Sequence, residues 1–344
     1  MADAAEDFNK EAFNVMTLFM DAAAKSDVAK MKKMIAAGLD VNSLDSIGHS
    51  VLHIACELGN LGAVEALLDA GADKNILSSL CMTPLGLALA GGYTPIVKLL
   101  LAKGADPDQL VDTDTSPLTI AVSGGSEEHT RLLLQHEASI TPRPPSKDAQ
   151  ATVITAGAGH LSILRILHEE FGADLNISSG PEGLTPLCAA IKNHKEGCFD
   201  YLLKKGADIH VLGAEGMISA LELAVTSDNP WATQELLRRG MAVDGVGDKR
   251  RFPSLIAAAM VGAAKSAAVL LAHGADIDAV SAAGNNARNI AQELGHSDVV
   301  TLIDEEQRRR HLKAVEQDSA HAHGGLAAST KVMRPLSFRK SQQL

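Results

Sequence analysis

Histidine and cysteine are the side chains here best suited to chemistry, and their spacing decides what kind. The 344-residue chain holds 13 histidines and four cysteines. His321 and His323 stand one residue apart as a lone HxH pair. Two imidazoles without further ligands fall short of the three or four that a zinc site requires. Cys56, Cys81, Cys188 and Cys198 show no CxxC spacing, so neither a zinc knuckle nor a disulfide framework is indicated. A reducing compartment follows as the expectation: the cytoplasm, with the nucleus as an alternative. No nucleophile elbow, P-loop, HExxH or dinucleotide glycine fingerprint occurs. "GAGHLS" (157–162) is glycine-rich but follows no strand. The pattern supplies no converging set of catalytic groups, so the chain reads as a non-enzyme with no cofactor and no metal.

The elements that position these residues are set by a period. "LLDAGADKN" (67–75) returns as "LLAKGADPD" (100–108), "HEEFGADLN" (168–176), "LLKKGADIH" (202–210), "LLRRGMAVD" (236–244) and "LLAHGADID" (270–278), with a looser copy at "IAAGLDVN" (35–42). The landmark glycines are Gly38, Gly71, Gly104, Gly172, Gly206, Gly240 and Gly274, and Glu137 takes the place of one. Successive steps are 33, 33, 33, 35, 34, 34 and 34 residues, a spacing that means stacked supersecondary units.

A second signature precedes each glycine, clearest in "HSVLHIACELG" (49–59), "MTPLGLALAGG" (82–92), "TSPLTIAVSGG" (115–125) and "LTPLCAAIKNH" (184–194). Thr83, Ser116 and Thr185 are suited to cap a helix through their hydroxyls. Pro84, Pro117 and Pro186 then fall at the first helical position, where a missing N–H costs nothing. A short Ala/Leu helix, a Gly-containing turn and a returning second helix complete each unit. The landmark glycine fits a left-handed C-cap.

These two motifs at this period resemble the ankyrin-repeat family, over roughly residues 13–305 and about nine units. The resemblance implies an all-α repeat solenoid: stacked helix-turn-helix units with β-hairpin loops projecting as fingers beside a groove. Each unit depends on its neighbours to bury its apolar face. His53 holds the TPLH histidine position, and His160 and His296 follow turn glycines; the resemblance implies structural roles for all three. Residues 1–12 precede the array, 306–317 extend its last helix, and 318–344 read as a disordered basic tail. Arg288, at a position where the family buries leucine, suits a terminal capping unit. Glu137 followed by the proline-rich "TPRPPSK" (141–147) marks a weak point near 137–150.

Charge and hydropathy narrow the partners. Net charge is −11, and residues 319–344 carry four bases and no acid, which leaves the preceding part at −15. Such a surface repels phosphate backbones, so nucleic-acid binding is not expected. The longest apolar run, "LIAAAMVGAA" (255–264), is far short of the ~20 residues that span a bilayer, so no membrane insertion is expected. The expected partner is one or more proteins, and the chain is expected to be a monomer.

The family's usual recognition surface, the fingertips and the open face of each first helix, maps onto specific residues. These are Ile47, His49, Glu57 and Leu58 in the second unit, Leu80 and Met82 in the third, and Thr113 and Thr115 in the fourth. Leu184 and Lys192, then Met260 and Val261, follow in later units. Ile47, Leu58, Leu80 and Met82 form the expected hot spot, the alternative being that they pack against neighbouring fingers. The basic cluster Asp248, Lys249, Arg250 and Arg251 in "GDKRRF" suits an acidic partner, or is a solvated loop. Asn42, Asn75 and Asn176 resemble targets of an asparaginyl hydroxylase but are also structural hairpin residues. Arg334 three residues before Ser337 resembles a basophilic kinase site. The resulting expectation is a non-catalytic scaffold or adaptor in cytoplasmic signalling. Alternatives are an inhibitory or regulatory subunit of an enzyme or transcription factor, and an effector acting through its phosphorylatable tail.

Overall fold

The structure, a computed structural model, describes residues 15–111, 115–141, 150–179, 183–210, 218–244 and 253–328, with side chains to residue 316. Nine helix pairs follow one another along these residues. They are α1 (15–24) with α2 (Val28–Ala36), α3 (Val51–Glu57) with α4 (Leu61–Asp69), and α5 (Pro84–Ala90) with α6 (Thr94–Ala102). Next come α7 (Pro117–Ser123) with α8 (Glu127–Gln135), α9 (Ala151–Ala158) with α10 (Leu161–Arg165), and α11 (Pro186–Lys192) with α12 (Glu196–Lys204). The last are α13 (Ala220–Thr226) with α14 (Pro230–Arg238), α15 (Ser254–Val261) with α16 (Ala264–Ala272), and α17 (Ala287–Glu293) with α18 (Ser297–Ala328). No extended strand occurs among the described residues; isolated antiparallel bridges mark the loops between pairs.

Two compact units divide the chain, residues 1–223 and 224–344. In the first, first helices pack on first helices (α3 on α5, α5 on α7, α7 on α9, α9 on α11). Second helices pack likewise from α2 to α12. In the second unit α14, α16 and α18 pack in succession, and α15 packs on α17.

Three of the first helices start for reasons visible in their residues. Thr83 Oγ1 accepts from Gly86 N at 2.9 Å, Ser116 Oγ from Thr119 N at 3.1 Å and Thr185 Oγ1 from Cys188 N at 3.2 Å. The proline after each cap stands at the start of the helix. All seven landmark glycines have positive φ, between 70° and 94°. Four residues before six of the landmark positions lies a fully buried leucine: Leu67, Leu100, Leu133, Leu202, Leu236 and Leu270. Its carbonyl accepts from the residue just past the landmark, as Leu67 O does from Ala72 N at 2.9 Å. Capping and core packing therefore close on the same residue.

The fifth pair differs in one turn. Its second helix continues from Arg165 into a π-helical turn, Ile166–Glu170. The buried leucine, Leu167, now lies five residues before Gly172, and its carbonyl still accepts from Ala173 N at 2.9 Å. The wider turn absorbs an added residue without moving the leucine out of the core, the usual way a helix accommodates an insertion.

Glu137 occupies the landmark position with φ 65°, the left-handed conformation that its side chain resists. The side chain is exposed. Glu137→Gly is therefore expected to stabilise the fold by about 0.5–1 kcal/mol, the relief of strain less the greater freedom of glycine in the unfolded chain. Urea unfolding checks this, and an unchanged or lower midpoint refutes it. Of the expected weak point, residues 142–149 lie outside the described residues.

At the C-terminus Arg288 is half-buried and binds Asp304 through two nitrogens, at 2.6 and 3.1 Å, with Gln292 Oε1 at 2.9 Å from a third. A polar group at this site thus ends the stack with its charge paired. The last helix corrects one expectation. It runs to Ala328, where the sequence reading ends it at 317 and leaves 318–328 disordered. Extending a helix that already runs into "DSAHAHGGLAA" (318–328) costs less than starting one, which offsets Gly324 and Gly325 there.

Candidate functional site

The finger loops between pairs are the most distinctive exposed part of the first unit. In residues 39–50, Asp45 organises the tip: its Oδ1 accepts from Ile47 N at 3.0 Å and His49 N at 2.8 Å, and its own N–H donates to His49 O at 2.8 Å. In residues 72–83, Ser78 N donates to Met82 O at 3.0 Å, and Ser78 Oγ accepts from Met82 N at 3.1 Å. A short polar side chain closes each loop on its own backbone.

The second and third fingers are also fastened to each other. Ser79 N donates to Gly48 O at 3.2 Å, and Ser79 Oγ to Ile47 O at 2.5 Å. Gly48 permits this approach: a Cβ there would lie 2.6 Å from the Ser79 Cβ, and its φ is 78°. At the finger bases Asn42 Oδ1 accepts from Asp73 N at 2.7 Å. The same bond recurs from Asp106 N to Asn75 at 2.9 Å and from Asp208 N to Asn176 at 2.9 Å. These asparagines join successive loops, the structural role weighed against modification.

Buried His53 supplies the third link. Its Nδ1 lies 3.0 Å from Ser50 N and its Nε2 3.0 Å from Met82 O. An N–H can only donate and a carbonyl can only accept, so the ring is the neutral tautomer protonated at Nε2. Burial, above all, and the neighbouring His49 hold its pKa below the ordinary histidine value.

On this fastened frame the apolar side chains point outward. Ile47 is 63% exposed and Leu80 69%, and beside them Leu44 is 48% and Leu77 43% exposed. Leu44 and Leu77 were not anticipated. They share one register, 33 residues apart and three before Ile47 and Leu80, so carrying the same alignment across the whole loop would have found them. Leu58 and Glu57 are exposed at the far end of α3, about 10 Å of helix away from the fingertip. Met82 and His49 are half-buried. The four expected hot-spot residues are thus split between fingertip, helix end and finger base.

The remaining candidates are spread along the chain. Thr115 bridges Val111, and Leu184 bridges Ser179; both are half-buried. Lys192 is exposed at the end of α11. In the second unit Met260 and Val261 are exposed at the end of α15, 43% and 49% respectively. Thr113, Asp248, Lys249, Arg250, Arg251 and Ser337 lie outside the described residues.

Chemistry has little to work with elsewhere. A shallow cavity of about 340 Å³ is lined by Glu127, Arg131, Leu161, Arg165, Ile166, Glu169 and Glu170. Arg131 there reaches Glu170 at 3.0 Å and Glu127 at 3.6 Å, and Glu169 pairs with Lys205 at 3.0 Å. Burial pushes the Cys198 thiol up to about 11 and Cys56 higher still, so both are thiols at neutral pH. Among the described residues no cluster of three or more His, Cys, Asp or Glu is placed to hold a metal, and no helix is long and apolar enough to cross a membrane.

A family model for ankyrin repeats (three copies) matches residues 4–78, 70–144, 87–177 and 145–213. Residues 4–213 are thereby covered, and the chain belongs to the ankyrin-repeat family. Ankyrin repeats are in general protein–protein interaction modules and are typically non-catalytic. No curated protein matches the chain.

Proposed function

We propose that this protein is a non-catalytic scaffold or adaptor that captures a partner protein on the fingertips of its second and third repeats. One observation carries the reading: four large aliphatic side chains stand exposed on two loops that are hydrogen-bonded to each other. Scattered surface leucines are ordinary, but an apolar group held side by side on a rigid frame is how protein interfaces are built. The frame is ordered before binding, so less entropy is lost on association.

The test is the double variant Ile47→Ser/Leu80→Ser. Both side chains are mostly in water, so stability is expected within about 0.5 kcal/mol of the parent. Capture of partner proteins from cell extract by the full-length chain is expected to fall at least ~10-fold, since burying one such side chain is worth about 1.5–3 kcal/mol. Undiminished recovery of the same partners by a folded variant would remove the fingertips from the site.

A further inference from the structure

The surface around the four aliphatic residues is lopsided in charge, and this identifies the chemistry of the partner. In the second to fourth repeats, the fingers and the first helices with their following turns comprise residues 39–60, 72–93 and 105–126. Their described residues contain Asp40, Asp45, Glu57, Asp73, Asp106 and Asp108 against a single base, Lys74. Several of these carboxylates are fixed by the loops themselves. Asp73 Oδ1 accepts from Asn75 N at 2.9 Å and Asp106 Oδ1 from Asp108 N at 2.9 Å. They therefore present their charge at set positions at the bases of the finger row, whose second and third fingers carry exposed Leu44, Ile47, Leu77 and Leu80.

We propose that this row binds a basic segment of a partner protein carrying two apolar anchors, one for each finger. The inference rests on the fingertip reading above and adds the chemistry of the occupant. Neighbouring repeats are spaced like packed helices, about 8–10 Å apart, and roughly three residues of extended chain span that distance. The matching segment therefore has aliphatic or aromatic residues at positions i and i+3 of a polyproline-II stretch, whose turn of three residues and about 9 Å returns both to one face, flanked by Lys or Arg. The anchors cover the exposed side chains. The bases face the fixed carboxylates, which raise the encounter rate and disfavour acidic competitors.

The experiment is selection from a phage-displayed random 12-residue peptide library on the full-length chain, followed by fluorescence anisotropy with synthesised winners. Enriched sequences are expected to carry net positive charge and two apolar residues three apart. Their affinity is expected to fall at least ~10-fold on Ile47→Ser/Leu80→Ser. On Asp73→Asn/Asp106→Asn, which keeps both loop acceptors and removes only charge, it is expected to fall several-fold at low salt and much less at high salt. Acidic or neutral winners, winners indifferent to both variants, or no enrichment at all would overturn the proposal. Acidic winners that are lost on Ile47→Ser/Leu80→Ser would overturn the charge assignment alone and leave the fingertip surface standing.

Discussion

His53→Ala is expected to destabilise the protein by about 2–4 kcal/mol. The imidazole is fully buried and joins two loops. Its removal leaves Ser50 N without the Nδ1 acceptor, while Met82 O loses the Nε2–H donor but keeps the bond from Ser78 N. Each buried polar group left unpaired costs about 1–3 kcal/mol, and the vacated space adds a cavity term. Ser50 Oγ still accepts from His53 N at 3.3 Å, and alanine keeps that N–H, so the helix cap survives in part. His53→Gln is the milder change. An amide at the same helical position can still accept from the Ser50 backbone, as in other capping boxes, so a loss of about 1–2 kcal/mol is expected. Equilibrium urea unfolding separates the three proteins, and equal midpoints would show that the ring fastens nothing.

The same geometry gives stability a pH dependence. A proton on Nδ1 would set two donors face to face at Ser50, and burial already holds the folded pKa below 6.5. A base with a depressed folded pKa contributes fully above its unfolded value. Its contribution then declines as pH falls from about 6.5 towards the folded pKa, because the unfolded chain takes the proton first. His129 acts in the same direction, its pKa lowered chiefly by burial while its Nε2 lies 2.9 Å from Thr94 Oγ1. Stability should therefore drop between pH 7 and pH 5. His53→Gln should make that drop shallower while leaving the share due to His129.

What the sequence makes legible here is the part governed by local backbone chemistry. A glycine every 33–35 residues signals a left-handed C-cap because few other residues tolerate one. Thr-Pro and Ser-Pro signal a helix start because hydroxyl and ring act within three residues. Contacts between neighbours about 30 residues apart are much less legible. Nothing in "DSIGHS" (45–50) alone announces that Ser79 will bond to Ile47 O and Gly48 O. Leu44 and Leu77 read as ordinary loop leucines until the two fingers are fastened together and leave them outside. A step of 35 shows that residues are added before Gly172, but only the packing of Leu167 shows that a π-turn absorbs one of them. The helical course of 318–328 is not legible in its own low apolar content, because it is set by the helix already running into it.

Gly86→His is expected to lower stability by about 1–3 kcal/mol, even though it copies what the chain itself uses one repeat earlier. Gly86 lies 33 residues after His53, at the same place behind its cap, so repeat-to-repeat averaging would favour histidine there. It would also remove a glycine from a helix, worth roughly a few tenths of a kcal/mol in its favour because histidine is itself a weak helix former. Local packing outweighs both. A Cβ on Gly86 would stand 2.5 Å from Val111 Cγ2 and 2.7 Å from Cγ1. Val111 is itself buried and held by a bridge to Thr115, whose carbonyl accepts from Val111 N at 2.7 Å. Branched at Cβ, it has few rotamers into which to retreat, and overfilling such a site costs about 1–3 kcal/mol or more. In the third repeat the valine of the following finger thus occupies the space that an imidazole takes in the second. Val111→Ala should cost stability alone, yet recover part of the loss when combined with Gly86→His. The two changes are expected to couple by at least about 1 kcal/mol in a double-mutant cycle. Additive costs would mean that the glycine answers to something other than this valine.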